Sequence, residues 1–195
     1  YKPSIDKLSV VIPNAEKQYI EKSEANLWFA LKSPELGFKQ MPKAQGYRTC
    51  IAIHYQPGSD SIEKCSPVVL QLNHYNNDRP QIRMEFNPSK MTPDFIDQVD
   101  DKLLVCLGFG FFELLSKAKV TRVDIAVDIG NVWMEDIMAK VKGKQKANTF
   151  FNTHGEISTM TYGSSKGNQF VLYAKSDQPG FETPHQSLLR IEARM

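Results

Sequence analysis

The segment Arg122-Val123-Asp124-Ile125-Ala126-Val127-Asp128-Ile129 alternates without a break between one set of side chains and another. Successive side chains of a β-strand point to opposite faces of its sheet. Val123, Ile125, Val127 and Ile129 therefore make one continuous apolar face, and Arg122, Asp124, Ala126 and Asp128 make the other. A segment of this kind is stable only in a sheet that buries one side. Three further segments divide the same way. Ile82, Met84 and Phe86 oppose Arg83, Glu85 and Asn87; Leu189, Ile191 and Ala193 oppose Arg190, Glu192 and Arg194; Phe170, Leu172 and Ala174 oppose Tyr173 and Lys175.

Other strand-like runs lie at Lys7–Ile12, Leu27–Lys32, Tyr47–Tyr55, Pro67–His74 and Gln81–Asn87, bounded by Pro, Gly, Asn and Asp. A helix signal follows. Thr92 suits an N-cap, Pro93 the first helical position, and Asp94 and Asp97 the positive end of the helix dipole. Its apolar stripe runs from Phe95 through Ile96, Val99, Leu103, Val105, Cys106 and Leu107 to Phe111, Leu114 and Leu115; Gly108 and Gly110 weaken its middle and mark a kink or a close packing contact. The second cycle reads as a strand at Val120–Ile129, a short helix at Trp133–Lys142, a hairpin of Thr159–Gly163 with Gln169–Ser176, and a last strand at Leu188–Met195. The expected fold is α+β: an antiparallel-rich sheet with helices on one face, in two pseudo-repeated sheet-plus-helix halves of roughly 1–118 and 119–195 within one domain.

A chain of 195 residues with 41% hydrophobic and 24% charged side chains buries a substantial core. Its net charge of +2 neither requires nor excludes a nucleic-acid partner. Cys50, Cys65 and Cys106 are odd in number and lack metal-ligand spacing, which fits a reducing compartment. No apolar run is long enough to span a bilayer and no signal peptide is visible, so no membrane association is expected. The chain opens without Met and stops inside a strand, as expected for a fragment of a longer protein.

The polar stripe carries the functional information. A merely solvated strand face uses Thr, Lys, Ser and Gln, whereas Asp is a poor strand former. Here two Asp sit in one strand, and acid–Arg pairs recur in three. Clustered carboxylates repel unless a cation or an Arg intervenes, and a hard cation such as Mg²⁺ or Mn²⁺ prefers oxygen ligands. The interleaved Arg and Lys can hold phosphate, Arg through a bidentate fork. Two other classes are compatible with the pattern: a non-catalytic module that stacks single-stranded bases on Tyr and Arg, and an interaction domain whose stripe is only solvated. The Lys142–Lys146 run reads as a solvated loop, with a DNA-contacting loop as the alternative.

Three segments in order, RVDIAVDI (122–129), TMTYGSSKGNQFVLYAKSD (159–177) and LLRIEARM (188–195), resemble the trans-acting replication initiators of rolling-circle plasmids and related filamentous phages. The resemblance lies in an Arg-x-Asp strand, a Tyr-Gly-Ser segment, a Tyr-x-Lys strand and an Arg-x-Glu strand, and it covers roughly residues 80–195. It implies a nicking and strand-transfer enzyme in which Tyr173 attacks a DNA phosphodiester, leaving a 5′-phosphotyrosine and a free 3′-hydroxyl. Asp124 and Glu192 become the metal ligands for Mg²⁺ or Mn²⁺, and Lys175 neutralises the transferring phosphate. Glu85 joins the ligands on strand pattern alone, with Asp128 as a competing acid. Arg83, Arg122, Arg190, Arg194 and Lys166 are the candidate DNA and phosphate contacts. The implied partners are supercoiled or single-stranded origin DNA, a host helicase and host replication proteins, in the cytoplasm of a bacterial host. The sequence departs from related nicking enzymes in two ways: it lacks a His-hydrophobe-His cluster, and Ala174 follows the tyrosine where a polar or acidic residue is common. Tyr162 is the strongest rival nucleophile, ahead of Tyr47, Tyr55 and Tyr75.

Overall fold

The computed structural model describes residues 2–13, 17–33, 36–42, 46–56, 66–137, 139, 141–142, 146–164, 167–177 and 187–195, with the backbone alone at 17–19 and 22. The chain divides into two compact units, Lys7–Arg122 and, with the first six residues joining the C-terminal part, Tyr1–Asp6 plus Val123–Met195. This division falls at 122/123, close to the 118/119 that the sequence pattern predicts for the two halves. Both units are built on antiparallel strands, and the fold is α+β.

In Lys7–Arg122 the strands β1 (Ser4–Ile12, from Lys7 onward), β2 (Phe38–Gln40), β3 (Tyr47–Ile53), β4 (Val68–His74) and β5 (Ile82–Phe86) take the order β2-β3-β4-β5-β1. One sheet face presents Val10, Ile12, Ile51, Ile53, Leu70, Leu72 and Met84 to the helices α1 (Lys17–Ala30), α2 (Pro93–Leu107) and α3 (Phe111–Ser116). Phe95, Val99 and Leu103 of α2 are fully buried there. Burial of each such side chain contributes roughly 1.5–3 kcal/mol. Two cysteines, Cys50 and Cys106, are free and buried. Burial raises both thiols, Cys106 to about 11, so neither is poised to react. Cys65 lies outside the described residues.

Three local expectations are corrected. Leu27–Lys32 is the end of a helix and the turn after it, not a strand. Leu27 and Ala30 join Ile20 in the core while Trp28 and Phe29 face outward, a helical spacing that outweighs the strand preference of the aromatics. The single helix expected here is two helices. Gly108 adopts φ 76° and closes α2 with its N–H on the Leu104 carbonyl, and Val105, placed in the apolar stripe, is exposed. Trp133–Lys142 contains a single 3-10 turn at Met134–Asp136 among its described residues.

α3 starts through a contact that only glycine permits. The Asp100 carboxylate accepts the Phe111 N–H at 2.6 Å, and a Cβ on Gly110 would lie 2.6 Å from the same oxygen. Gly110→Ala and Asp100→Ala should each cost about 1–2 kcal/mol in urea unfolding, as the loss of a cap does. The double variant should cost little more than either, because both break one interaction. Additive losses would contradict this.

In the second unit, β6 (Lys119–Gly130, from Val123 onward), β7 (Ala147–Phe151), β8 (Ile157–Gly163), β9 (Gln169–Ala174) and β10 (Leu188–Arg194) take the order β6-β10-β9-β8-β7. Leu172, Leu189 and Met134 form its apolar core with Ile129, Met160, Tyr162 and Ile191 around them. Among the described residues of the chain, no helix is long and apolar enough to cross a membrane.

Candidate active site

Register places the polar residues of β6, β10 and β9 in rows across one face. Asp128 stands opposite Arg190, and Arg190 opposite Tyr173. In the next row Ala126 stands opposite Glu192 and Glu192 opposite Val171; in the third, Asp124 faces Arg194 and Arg194 faces Gln169. Directly opposed residues of an antiparallel ladder share a face. The alternation read in each strand alone thus converges on one site: Asp124, Asp128, Tyr173, Arg190, Glu192 and Arg194.

This face is not a solvated one. Asp124 is 2% exposed, Glu192 4% and Arg190 9%. Burying ions costs several kcal/mol each unless partners compensate, and the partners are present. Arg190 donates from Nε to Asp128 Oδ1 at 2.6 Å and from Nη2 to Oδ2 at 2.7 Å, a bidentate clasp, while Nη1 lies 3.0 Å from Asp6 Oδ2. Lys175 Nζ adds a bond of 2.7 Å to Asp128 Oδ2. Arg194 holds Glu192 through Nε at 2.8 Å and Nη2 at 3.3 Å, and reaches Gln169 Oε1 at 3.4 Å.

The electrostatics follow from these contacts. The Arg190 hydrogen bond, aided by Lys175 and opposed by burial, lowers the Asp128 carboxyl to about 2. It stays ionised over the physiological range and fixes two cations. Burial pushes the Tyr173 hydroxyl up; the charge and hydrogen bond of Arg190 pull it down, and Glu192 and Asp6 add to the rise. Tyr173 therefore keeps its proton at neutral pH, and a phenol in this state becomes nucleophilic only once that proton is removed.

Several sequence expectations change here. Lys175 reaches the face from a 3-10 turn (Lys175–Asp177), not as a strand residue, because β9 ends at Ala174. Asp128, the competing metal ligand, has both oxygens engaged by Arg190 and Lys175. Tyr162 lies on the opposite, apolar face, and its hydroxyl donates to the Ala139 carbonyl at 2.9 Å. Asp6 was missed because its strand was expected to begin at Lys7; an Asp inside a β-run, the signal that marked Asp124 and Asp128, was there to be read.

Glu85, Arg83 and Arg122 belong to the other unit. Burial alone would raise the Glu85 carboxyl, but Lys7 at 2.7 Å, Arg83 at 2.5 Å and the Ser9 hydroxyl at 3.2 Å together hold it below its usual range. Arg122 is half-buried, and Lys166 lies outside the described residues. Among the described residues no three His, Cys, Asp or Glu are grouped to hold a metal by themselves. Asp124 and Glu192 are diagonal neighbours on adjacent strands, one register step apart on the same face. Two such carboxylates suit Mg²⁺ or Mn²⁺, which bind through one or two carboxylates and complete their shell with water and phosphate. Glu192 would have to release Arg194 to serve.

Fold and face together describe an α+β protein whose antiparallel strands carry a buried ionic framework around one tyrosine. Among solved structures, the chain is similar in fold to a rolling circle replication initiator protein from Geobacillus stearothermophilus, with a TM-score of 0.53 and 16% identity over 100% of this chain and 74% of that one. Neither a protein-family model nor a curated protein matches the sequence.

Proposed function

We propose that this chain is a metal-dependent DNA-nicking and strand-transfer enzyme of the kind that initiates rolling-circle replication, with Tyr173 as its nucleophile. The observation that carries the reading is the setting of Tyr173: it shares a face and a register row with a buried Arg190 that two carboxylates fix in place. The fold likeness to a replication initiator supports the same reading.

In this reading the Tyr173 oxygen forms a bond to phosphorus and the bond from phosphorus to the 3′ oxygen breaks. The phenol proton is lost and the 3′ oxygen gains one, leaving a 5′-phosphotyrosine and a 3′-hydroxyl. Arg190 and Lys175 offset charge that develops on the phosphoryl oxygens and the phenolate. Asp128 holds both cations at the tyrosine. Asp124 and Glu192 would hold Mg²⁺ or Mn²⁺, which when bound polarises a phosphoryl oxygen. The phosphotyrosine retains the energy of the broken bond, so rejoining needs no ATP. The DNA partner is an origin in supercoiled or single-stranded form; a helicase and other replication proteins of a bacterial cytoplasm would act on the nicked product.

The test is incubation with supercoiled and single-stranded origin DNA in Mn²⁺, with denaturing gels to detect DNA covalently joined to protein. DNA binding without an adduct on any origin would support a non-catalytic module instead. Calorimetry tests the metal separately. Mn²⁺ affinity should fall at least about tenfold in both Asp124→Ala and Glu192→Ala, since even the neighbours of metal ligands have effects of that size. Unchanged affinity in both removes them as ligands.

A further inference from the structure

β7 is the outermost strand of its unit, every one of its residues is exposed, and it ends in two aromatics, Phe150 and Phe151. Its register is interrupted between them: Phe150 pairs with Thr159, but Phe151 pairs with Ile157, so Ser158 is an extra residue on β8. A bulge turns two consecutive side chains toward one side and reverses the alternation beyond it. Both consequences are visible. Ser158 and Thr159 together line a shallow depression of about 400 Å³, with Thr161, Val171, Tyr173 and Arg194. Ile157 instead packs with Met160 and Tyr162 on the apolar side.

Register puts Phe150 on the face of Tyr173, and alternation along β7 puts Phe151 on the other. Phe150 completes the row of Thr159, Tyr173, Arg190 and Asp128. Adjacent strands lie about 4.8 Å apart, which sets Phe150 roughly 10 Å from Tyr173, one strand beyond the Thr159 that lines the depression. Alternation along β7 brings Asn148 to the same face as Phe150. Lys146, whose carbonyl accepts the Gly163 N–H at 2.8 Å, continues that series just before the strand. An open aromatic ring, an amide, a row of hydroxyls and a lysine thus share one face, and among the described residues no carboxylate lines the depression.

We propose that this depression seats the single-stranded nucleotides next to the scissile phosphate, with Phe150 as the platform on which an unstacked base lies. Ser158, Thr159 and Asn148 offer hydrogen bonds to base edges or sugar, and Lys146 meets the backbone. The occupant is single-stranded because a base paired within duplex has no free face to offer the ring. The position of the scissile phosphate rests on the nicking reading; the stacking seat does not.

The test is fluorescence anisotropy of a labelled oligothymidylate bound to the full chain in EDTA, so that cleavage does not intervene. Phe150→Ala should weaken binding roughly tenfold to a hundredfold, the usual effect of removing one stacking aromatic. Phe151→Ala, on the other face, should bind as wild type. Phe150→Trp should retain binding, and its fluorescence should be quenched as DNA is added. Wild-type binding by Phe150→Ala overturns the proposal, and so do equal losses in Phe150→Ala and Phe151→Ala. A change of self-association in sedimentation without a change in DNA binding also overturns it, because the occupant is then a second copy of this chain. The two readings fail separately. An adduct with no effect of Phe150→Ala removes the seat alone; a Phe150-dependent complex that never forms an adduct removes the nuclease alone.

Discussion

Tyr173→Phe is expected to abolish the covalent protein–DNA adduct, lowering nicking at least about a thousandfold, as removal of a catalytic nucleophile does. The protein should remain folded and should still bind DNA. The ring of Tyr173 is half-buried in its strand and the substitution keeps it. The lost hydroxyl removes one interaction of Arg190, whose two carboxylate partners remain. Stability should therefore change by no more than about 1 kcal/mol. Tyr162→Phe is the matched control. Its hydroxyl is tied to the Ala139 carbonyl on the apolar face, so its loss should cost about 1 kcal/mol of stability and leave nicking intact. An adduct that survives Tyr173→Phe and disappears in Tyr162→Phe would transfer the role and, with it, the active face.

The rows that form the site were legible in outline because strand alternation is local. Each of β6, β9 and β10 displays its period of two in its own residues, and that period alone put Asp124, Tyr173, Arg190 and Glu192 on one side of their strands. Burial of that side was not legible, because it depends on long side chains closing over one another across strands. Nor was the division of labour among the acids. Asp128 and Asp124 have the same spacing from their apolar neighbours, yet register sets Asp128 against Arg190, which clasps it, while Arg194, opposite Asp124, holds Glu192 of its own strand. Asp6 enters from a strand far away in sequence. The bulge at Ser158 is hidden for a similar reason, since Ile157-Ser158-Thr159 alternates normally until its partner strand is known. α1 was misread because Leu-Trp-Phe favours strands, and the helix is stabilised by Ile20, Leu27 and Ala30 packing on a core built from other segments.

Asp128→Asn is expected to damage both stability and nicking, and its pH dependence separates its role from that of a metal ligand. An asparagine presents one acceptor where the carboxylate presents two, and turns an N–H₂ toward a guanidinium or ammonium that also donates. Arg190 would keep Asp6, and Lys175 would lose its bond of 2.7 Å to Asp128. The pair is partly exposed, with about a third of the Asp128 side chain open to solvent. The expected loss is thus that of charged hydrogen bonds screened by water, about 2 kcal/mol at neutral pH. The Asp128 carboxyl is depressed in the folded chain, to about 2. Its contribution is then fully present above the unfolded value near 3.9 and is lost as pH falls through the folded one. Wild type and Asp128→Asn should differ most in thermal melting above pH 4 and converge toward pH 2. Glu85 is depressed as well, so the variant should retain part of the acid transition. In nicking, two cations released from their anchor should lower the rate roughly tenfold to a hundredfold. Mn²⁺ affinity should be unchanged if Asp124 and Glu192 are the ligands, as proposed. A loss of Mn²⁺ affinity matching that of Asp124→Ala would make Asp128 a ligand, and melting curves with a constant difference from pH 7 to pH 2 would remove it as the anchor of Arg190.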